Sequence, residues 1–237
     1  MNAKGILDQL MRNAGGQRSA RGSGDTVDRL LQGLKSQLAG GSGQRSGGDM
    51  KSLLGGGALA LLVGSKRGRR LGGSALKYGV IAGLGTLAWK AWQNHQASQA
   101  GGAGDAAQEG EPIERLQGDA GERRSLEVLQ AMIMTARADG HVDETESAQL
   151  TELMNALGAD ADLRAWMEQQ IQAPLDADAL AREADSPQAA REMYLAGLAI
   201  ADDQNPMERA WLEQLAKALG IDPALASELK RQASQSA

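Results

Sequence analysis

The chain has 237 residues, among them 31 glycines and neither a cysteine nor a phenylalanine. Without cysteine it has no disulfide, no thiolate metal site and no cysteine nucleophile, and so much glycine with so few aromatics implies that only part of it packs as a core. The formal net charge of −5 hides a polarity: residues 1–110 carry 14 Lys and Arg against 6 Asp and Glu, whereas residues 111–237 carry 11 against 24.

In chain order, Met1–Arg12 has no apolar run of the length a signal peptide needs. Its Ile6, Leu7, Leu10 and Met11 fall on one helical face, in a helix too short to be stable alone. Asn13–Gly24 reads as a Gly/Ser/Arg linker, and Val27, Leu30, Leu31, Leu34 and Leu38 form a clearer stripe. The apolar faces of both stretches suit a membrane surface or another subunit. Residues 1–50 are thus expected to be a flexible basic region with short amphipathic helices.

Residues 51–92 read as a Gly-rich, membrane-associating region. Leu53–Val63 is apolar and runs into Lys66, Arg67, Arg69 and Arg70; Leu71–Trp92 follows, 22 residues long, with Lys77, Lys90, Tyr78, Trp89 and Trp92 toward its ends. That length reaches across a hydrocarbon core of roughly 30 Å, so a membrane helix is expected here. Gly79 and Gly83 form a small-xxx-small pair that would let two copies approach in lipid, giving a homo-oligomer. The basic charges fit anionic membrane lipid. A nucleic-acid partner is not expected, because no aromatic residue is interleaved with the arginines for stacking.

After a linker over 93–121, residues 122–232 are expected to form an all-α domain. Its sequence repeats a helix–acidic turn–helix unit, Ala131–Gly158 and Met193–Gly220. Leu150, Leu153, Leu157 and Gly158 follow Glu146 at the spacing with which Leu212, Leu215, Leu219 and Gly220 follow Glu208. Each glycine suits the left-handed residue that ends a helix, and Asp143 and Asn205, three residues before Glu146 and Glu208, read as N-caps. Asp222 likewise reads as an N-cap, and between the hairpins lie the segments Asp160–Gln172 and, opened by the Pro174-Leu175-Asp176 turn, Asp176–Ala184. Trp166 and Trp211 fall on apolar faces and are assigned to the core.

The run Ala136–Glu146 and its echo from Ala201 to Glu208 resemble the TerB-like family, named for bacterial tellurite-resistance proteins. Pro174-Leu175-Asp176, Glu192-Met193-Tyr194 and Glu208–Leu212 further resemble the YebE group, bacterial proteins described as inner-membrane and of unknown function. The resemblance covers about residues 122–232. It implies an all-helical bundle of two related hairpins, an acidic patch that relatives use for divalent metal, and no reaction. The second turn departs from the pattern, with Asp203 opposite Gly140 and one residue fewer.

Six carboxylates belong to the two turns: Asp139, Asp143, Glu146, Asp202, Asp203 and Glu208. If the hairpins pack so that the turns meet, they offer oxygen ligands to a hard cation such as calcium or magnesium; no cofactor is otherwise required. The plain alternative is that they cap helices and stay solvated. His141 has no serine elbow or second metal histidine beside it, and Gly64-Ser65-Lys66 breaks the order a phosphate loop needs, so no enzyme is expected. The expectation is therefore a non-enzymatic protein of the bacterial inner membrane, displaying an acidic helical domain to a protein partner or a divalent cation. The alternative is a soluble, cytoplasmic metal-sensing domain with a basic tail.

Overall fold

A computed structural model describes residues 1–19, 78–98, 108–140, 155, 157–201 and 205–236. All regular structure among these residues is helical. In chain order the α-helices are α1 (Ala3–Ser19), α2 (Tyr78–Ala82), α3 (Leu84–Ser98), α4 (Gly118–Ala136), α5 (Ala161–Gln172), α6 (Ala177–Glu183), α7 (Pro187–Ile200), α8 (Pro206–Ala218) and α9 (Pro223–Ser236), with a 3-10 turn at Ile113–Arg115 before α4.

The helix starts follow local chemistry. Asp160, Asp176 and Ser186 each accept a hydrogen bond from the amide three residues on, opening α5, α6 and α7. Asn205 accepts from Met207 N and Glu208 N and is followed by Pro206 at the first position of α8. Gly158 and Gly220 hold φ of 79° and 65°, the left-handed conformation expected of the glycines that close the two repeats. The second helix of the first repeat lies almost wholly outside the described residues, so the two hairpins are not compared further.

Helix α7 is the axis of the bundle. Every residue from Gln188 to Ala199 is buried, with α4, α8, α9, α2 and α3 around it. A helix surrounded on all sides is expected to be largely apolar, and Met193, Tyr194, Leu195, Leu198 and Ala199 supply most of its surface. Gly197 lets α4 and α8 approach closely: a Cβ there would stand 2.9 Å from Thr135 Oγ1 and 3.0 Å from Leu212 Cδ2. Beside it Trp211 Nε1 donates to Thr135 Oγ1 at 3.1 Å, so the buried indole is satisfied. Trp166 is half-buried against the cluster around Leu163 and Met167.

The expected membrane helix takes a different form. Among the described residues no helix is long and apolar enough to cross a membrane. From Tyr78 onward the stretch is two helices broken at Gly83, and Val80, Ile81, Leu84, Ala88, Ala91 and Trp92 are buried in the protein's own core. Residues 71–77 lie outside the described residues. The break has a local cause: Gly83 O accepts from Leu87 N at 2.7 Å and from Thr86 Oγ1 at 2.9 Å, so Gly83 opens a new helix. Gly79 is buried within this fold, and Gly83 sits at the break. The stretch read as a linker also carries structure: residues 93–98 continue α3, and Glu109 O accepts from Gln188 N at 2.8 Å.

Filling the close approach at Gly197 will disturb three helices together. Gly197→Val is expected to lower unfolding free energy by about 1–3 kcal/mol, measured by urea unfolding followed by circular dichroism.

Candidate functional site

The most concentrated chemistry in the structure is a buried ionic junction where α3, α4, α7 and the segment 109–114 meet. Helix α7 brings three polar side chains into the interior, Gln188, Arg191 and Glu192, each 3% exposed or less. A buried carboxylate needs donors, and Glu192 has three. Arg124 of α4 donates to Oε2 at 2.7 Å, while Oε1 accepts from the Ile113 amide at 2.9 Å and from Gln188 Nε2 at 2.8 Å. Gln188 Nε2 also donates to Gly85 O at 3.0 Å, tying in α3.

Arg124, 1% exposed, is shared among several acceptors. Besides Glu192 it donates to Asp185, to Ser186 Oγ at 3.0 Å and to Glu111 O at 3.3 Å, and its Nε lies 3.3 Å from Glu127. Arg191 donates to Glu109 at 2.6 Å and to Gln188 Oε1 at 3.0 Å, and its guanidinium stands 5.6 Å from the centre of the Trp92 ring. Glu114 closes the junction from outside, accepting from the Gly85 and Thr86 amides at 2.9 and 3.4 Å in the first turn of α3. Only glycine fits at position 85: a Cβ there would lie 2.2 Å from Glu114, 2.9 Å from Glu192 and 2.9 Å from Ile113 N.

The charges are unevenly satisfied. Burial pushes the Glu192 carboxyl up, and Arg124, Gln188 and the Ile113 amide pull it back. Burial works against the charge on Arg124, yet Glu192 and Asp185 more than offset it and raise its pKa. Glu127 is different. It is 3% exposed, neither of its oxygens accepts a hydrogen bond from a described residue, and burial, with Asp185 adding repulsion, pushes it up to about 7 despite Arg124. It is a carboxyl that exchanges its proton near neutral pH.

The expected metal ligands are only partly within the described residues. Asp143, Glu146, Asp202 and Asp203 lie outside them. Asp139, just past α4, and Glu208, in the first turn of α8, do come together. The Asn205 amide donates to Asp139 Oδ2 at 3.4 Å and to Glu208 Oε1 at 3.2 Å, while its own oxygen caps α8. Asp139 therefore lies beside the start of α8. Among the described residues no group of three or more carboxylates or histidines is placed to hold a metal ion.

Sequence reasoning did not find the junction. Glu192 entered only as part of a short word, and Arg124, Gln188, Arg191, Glu114 and Gly85 were assigned no role. The usable signal was the spacing of Gln188 and Glu192, four apart on a helix whose other residues are almost all apolar. Such a pair is expected to be buried and bonded.

An all-helical bundle with a buried ionic junction beside its central helix is the class of protein that fold and site define. The chain belongs to the family described as "Protein of unknown function (DUF533)", whose model matches residues 30–233. It is also similar to an "Uncharacterized protein in ampR 5'region" from Yersinia enterocolitica, 29% identical over 100 residues that cover 42% of this chain and 72% of that protein. No solved structure matches.

The raised Glu127 carboxyl gives stability a defined pH dependence. Its folded pKa lies above the unfolded value of 4.5, so the folded state holds the extra proton between about 4.5 and about 7, and stability falls as pH rises through that window. Glu127→Gln is expected to flatten this slope and to exceed the wild type by roughly 1–2 kcal/mol at pH 8, in urea titrations from pH 5 to 8.

Proposed function

We propose that this DUF533 protein is a non-enzymatic, membrane-associated binding module that presents the meeting point of its two acidic turns to a divalent cation. The observation that carries this reading is the apposition of Asp139 and Glu208, from the two repeats, on opposite sides of one amide group. Two carboxylates that meet at one amide bring oxygen donors close together, the ligand type a hard cation such as calcium or magnesium takes. Asp143, Asp202 and Asp203 lie within a few residues of this point in sequence and would complete the ligand set.

The TerB-like resemblance and the narrower YebE grouping agree with this reading, as does the negative charge of residues 111–237. The membrane half of the proposal rests on residues 51–77, where the apolar run Leu53–Val63 adjoins Lys66, Arg67, Arg69 and Arg70. The described carboxylates argue for binding rather than catalysis, because those of the junction are engaged with arginine, amide or capping partners, or, like Glu127, sealed from solvent.

Isothermal titration of the full chain with calcium and with magnesium tests the cation site. The expected result is saturable heat that disappears in Asp139→Asn plus Glu208→Gln. Heat equal to dilution into buffer for both ions would overturn the proposal.

A further inference from the structure

Helix α1 and helix α2 hide each other's apolar faces. Leu7 of α1 packs in one cluster with Val80 and Ile81 of α2, while Ala3 and Ile6 pack with Leu163 and Met167 of α5; all of these residues are buried. The end of α1 is fastened by polar contacts. The Ala3 and Lys4 amides donate to the two oxygens of Glu122 at 2.7 and 3.0 Å. The Asn2 side chain donates to Gly158 O at 2.9 Å and accepts from Asp160 N at 3.0 Å.

The face that α1 commits to this groove is the same face a lipid surface would take. Its apolar stripe of Ile6, Leu7, Leu10 and Met11 is flanked by Lys4 and Arg12 against a single acid, Asp8, which pairs with Lys4 at 2.7 Å. An amphipathic helix of this composition is attracted to anionic lipid by both buried area and charge. Docking in the groove and lying on lipid are mutually exclusive, since each buries the same side chains. Ala3 and Ile6 lie in one core cluster and Leu7 in the main one, so lipid must replace that buried area if α1 is to leave.

We propose that α1 is a lipid-exchangeable cover. At an anionic lipid surface α1 leaves the groove and lies in the headgroup region, uncovering Val80 and Ile81 of α2, which then share that surface. In the absence of lipid α1 returns and Glu122 recaps it. This inference rests on the membrane-associated reading above, but its failure can be told from the failure of that reading.

The test locks α1 in place. The chain has no cysteine of its own, so Asn2→Cys plus Asp160→Cys introduces a single pair where the Asn2 side chain meets the Asp160 amide at 3.0 Å. Oxidised and reduced forms of this full-length variant are compared in sedimentation with vesicles of equal parts phosphatidylglycerol and phosphatidylcholine, after circular dichroism has shown equal helicity. The reduced form is expected to bind on the order of tenfold more tightly than the oxidised form. In the wild-type chain, amides over 163–167 are expected to lose hydrogen-exchange protection when the same vesicles are added. Equal binding by the two forms would overturn the cover and leave membrane association standing. Binding by neither form would overturn both.

Discussion

The carboxylate of Glu192 is the constraint on which the rest of the bundle depends. It sits at the centre of an apolar helix with no solvent exposure, and a charge in that position is tolerable only if it is surrounded by donors. The donors come from places far apart in the chain: Arg124 from α4, Gln188 from one turn earlier in α7, and the Ile113 amide from the 3-10 turn. Satisfying one side chain therefore fixes the register of three segments. A purely hydrophobic junction would tolerate sliding, whereas three directional bonds to two oxygens do not.

From that point the other features follow. The 3-10 turn must approach Glu192, so α3 must bring its backbone within reach, and only glycine at 85 leaves room. Glu114 then falls over the first turn of α3 and caps it. Arg124, drawn inward by Glu192, also gathers Asp185 and Ser186, and Ser186 starts α7 itself. Glu127 is the residue that this arrangement strains. It lies beside the same guanidinium but receives no hydrogen bond from a described residue, so the junction favours its protonated form.

Much of the fold was legible because it is written locally. Asp160, Asp176, Asn205 and Asp222 cap the helices they precede, and Gly158 and Gly220 take the left-handed conformation that ends one. The leucine spacing after Glu208 correctly placed Leu212 and Leu215 in the core. The stretch from Tyr78 to Trp92 was less tractable, because apolar composition does not distinguish a helix buried in protein from one buried in lipid. What decided its form was Glu114 and Gln188, residues 29 and 103 positions from Gly85. The junction was illegible for the same reason. Arg124, Asp185 and Glu192 are ordinary surface residue types, and nothing local marks them as partners. Of the turn carboxylates, Asp139 and Glu208 are the two within the described residues, and the Asn205 amide between them is the side chain that caps α8.

The account's central claim is that Arg124 and Glu192 act as one buried unit, and a double-mutant cycle with Arg124→Met and Glu192→Gln measures this directly. Removing Arg124 alone leaves an uncompensated buried carboxylate and is predicted to cost about 3–5 kcal/mol of unfolding free energy. In the Glu192→Gln background the same substitution is predicted to cost far less, a coupling of at least about 1 kcal/mol. Costs that simply add, to within about 0.5 kcal/mol, would show the two residues to be independent and would contradict the account.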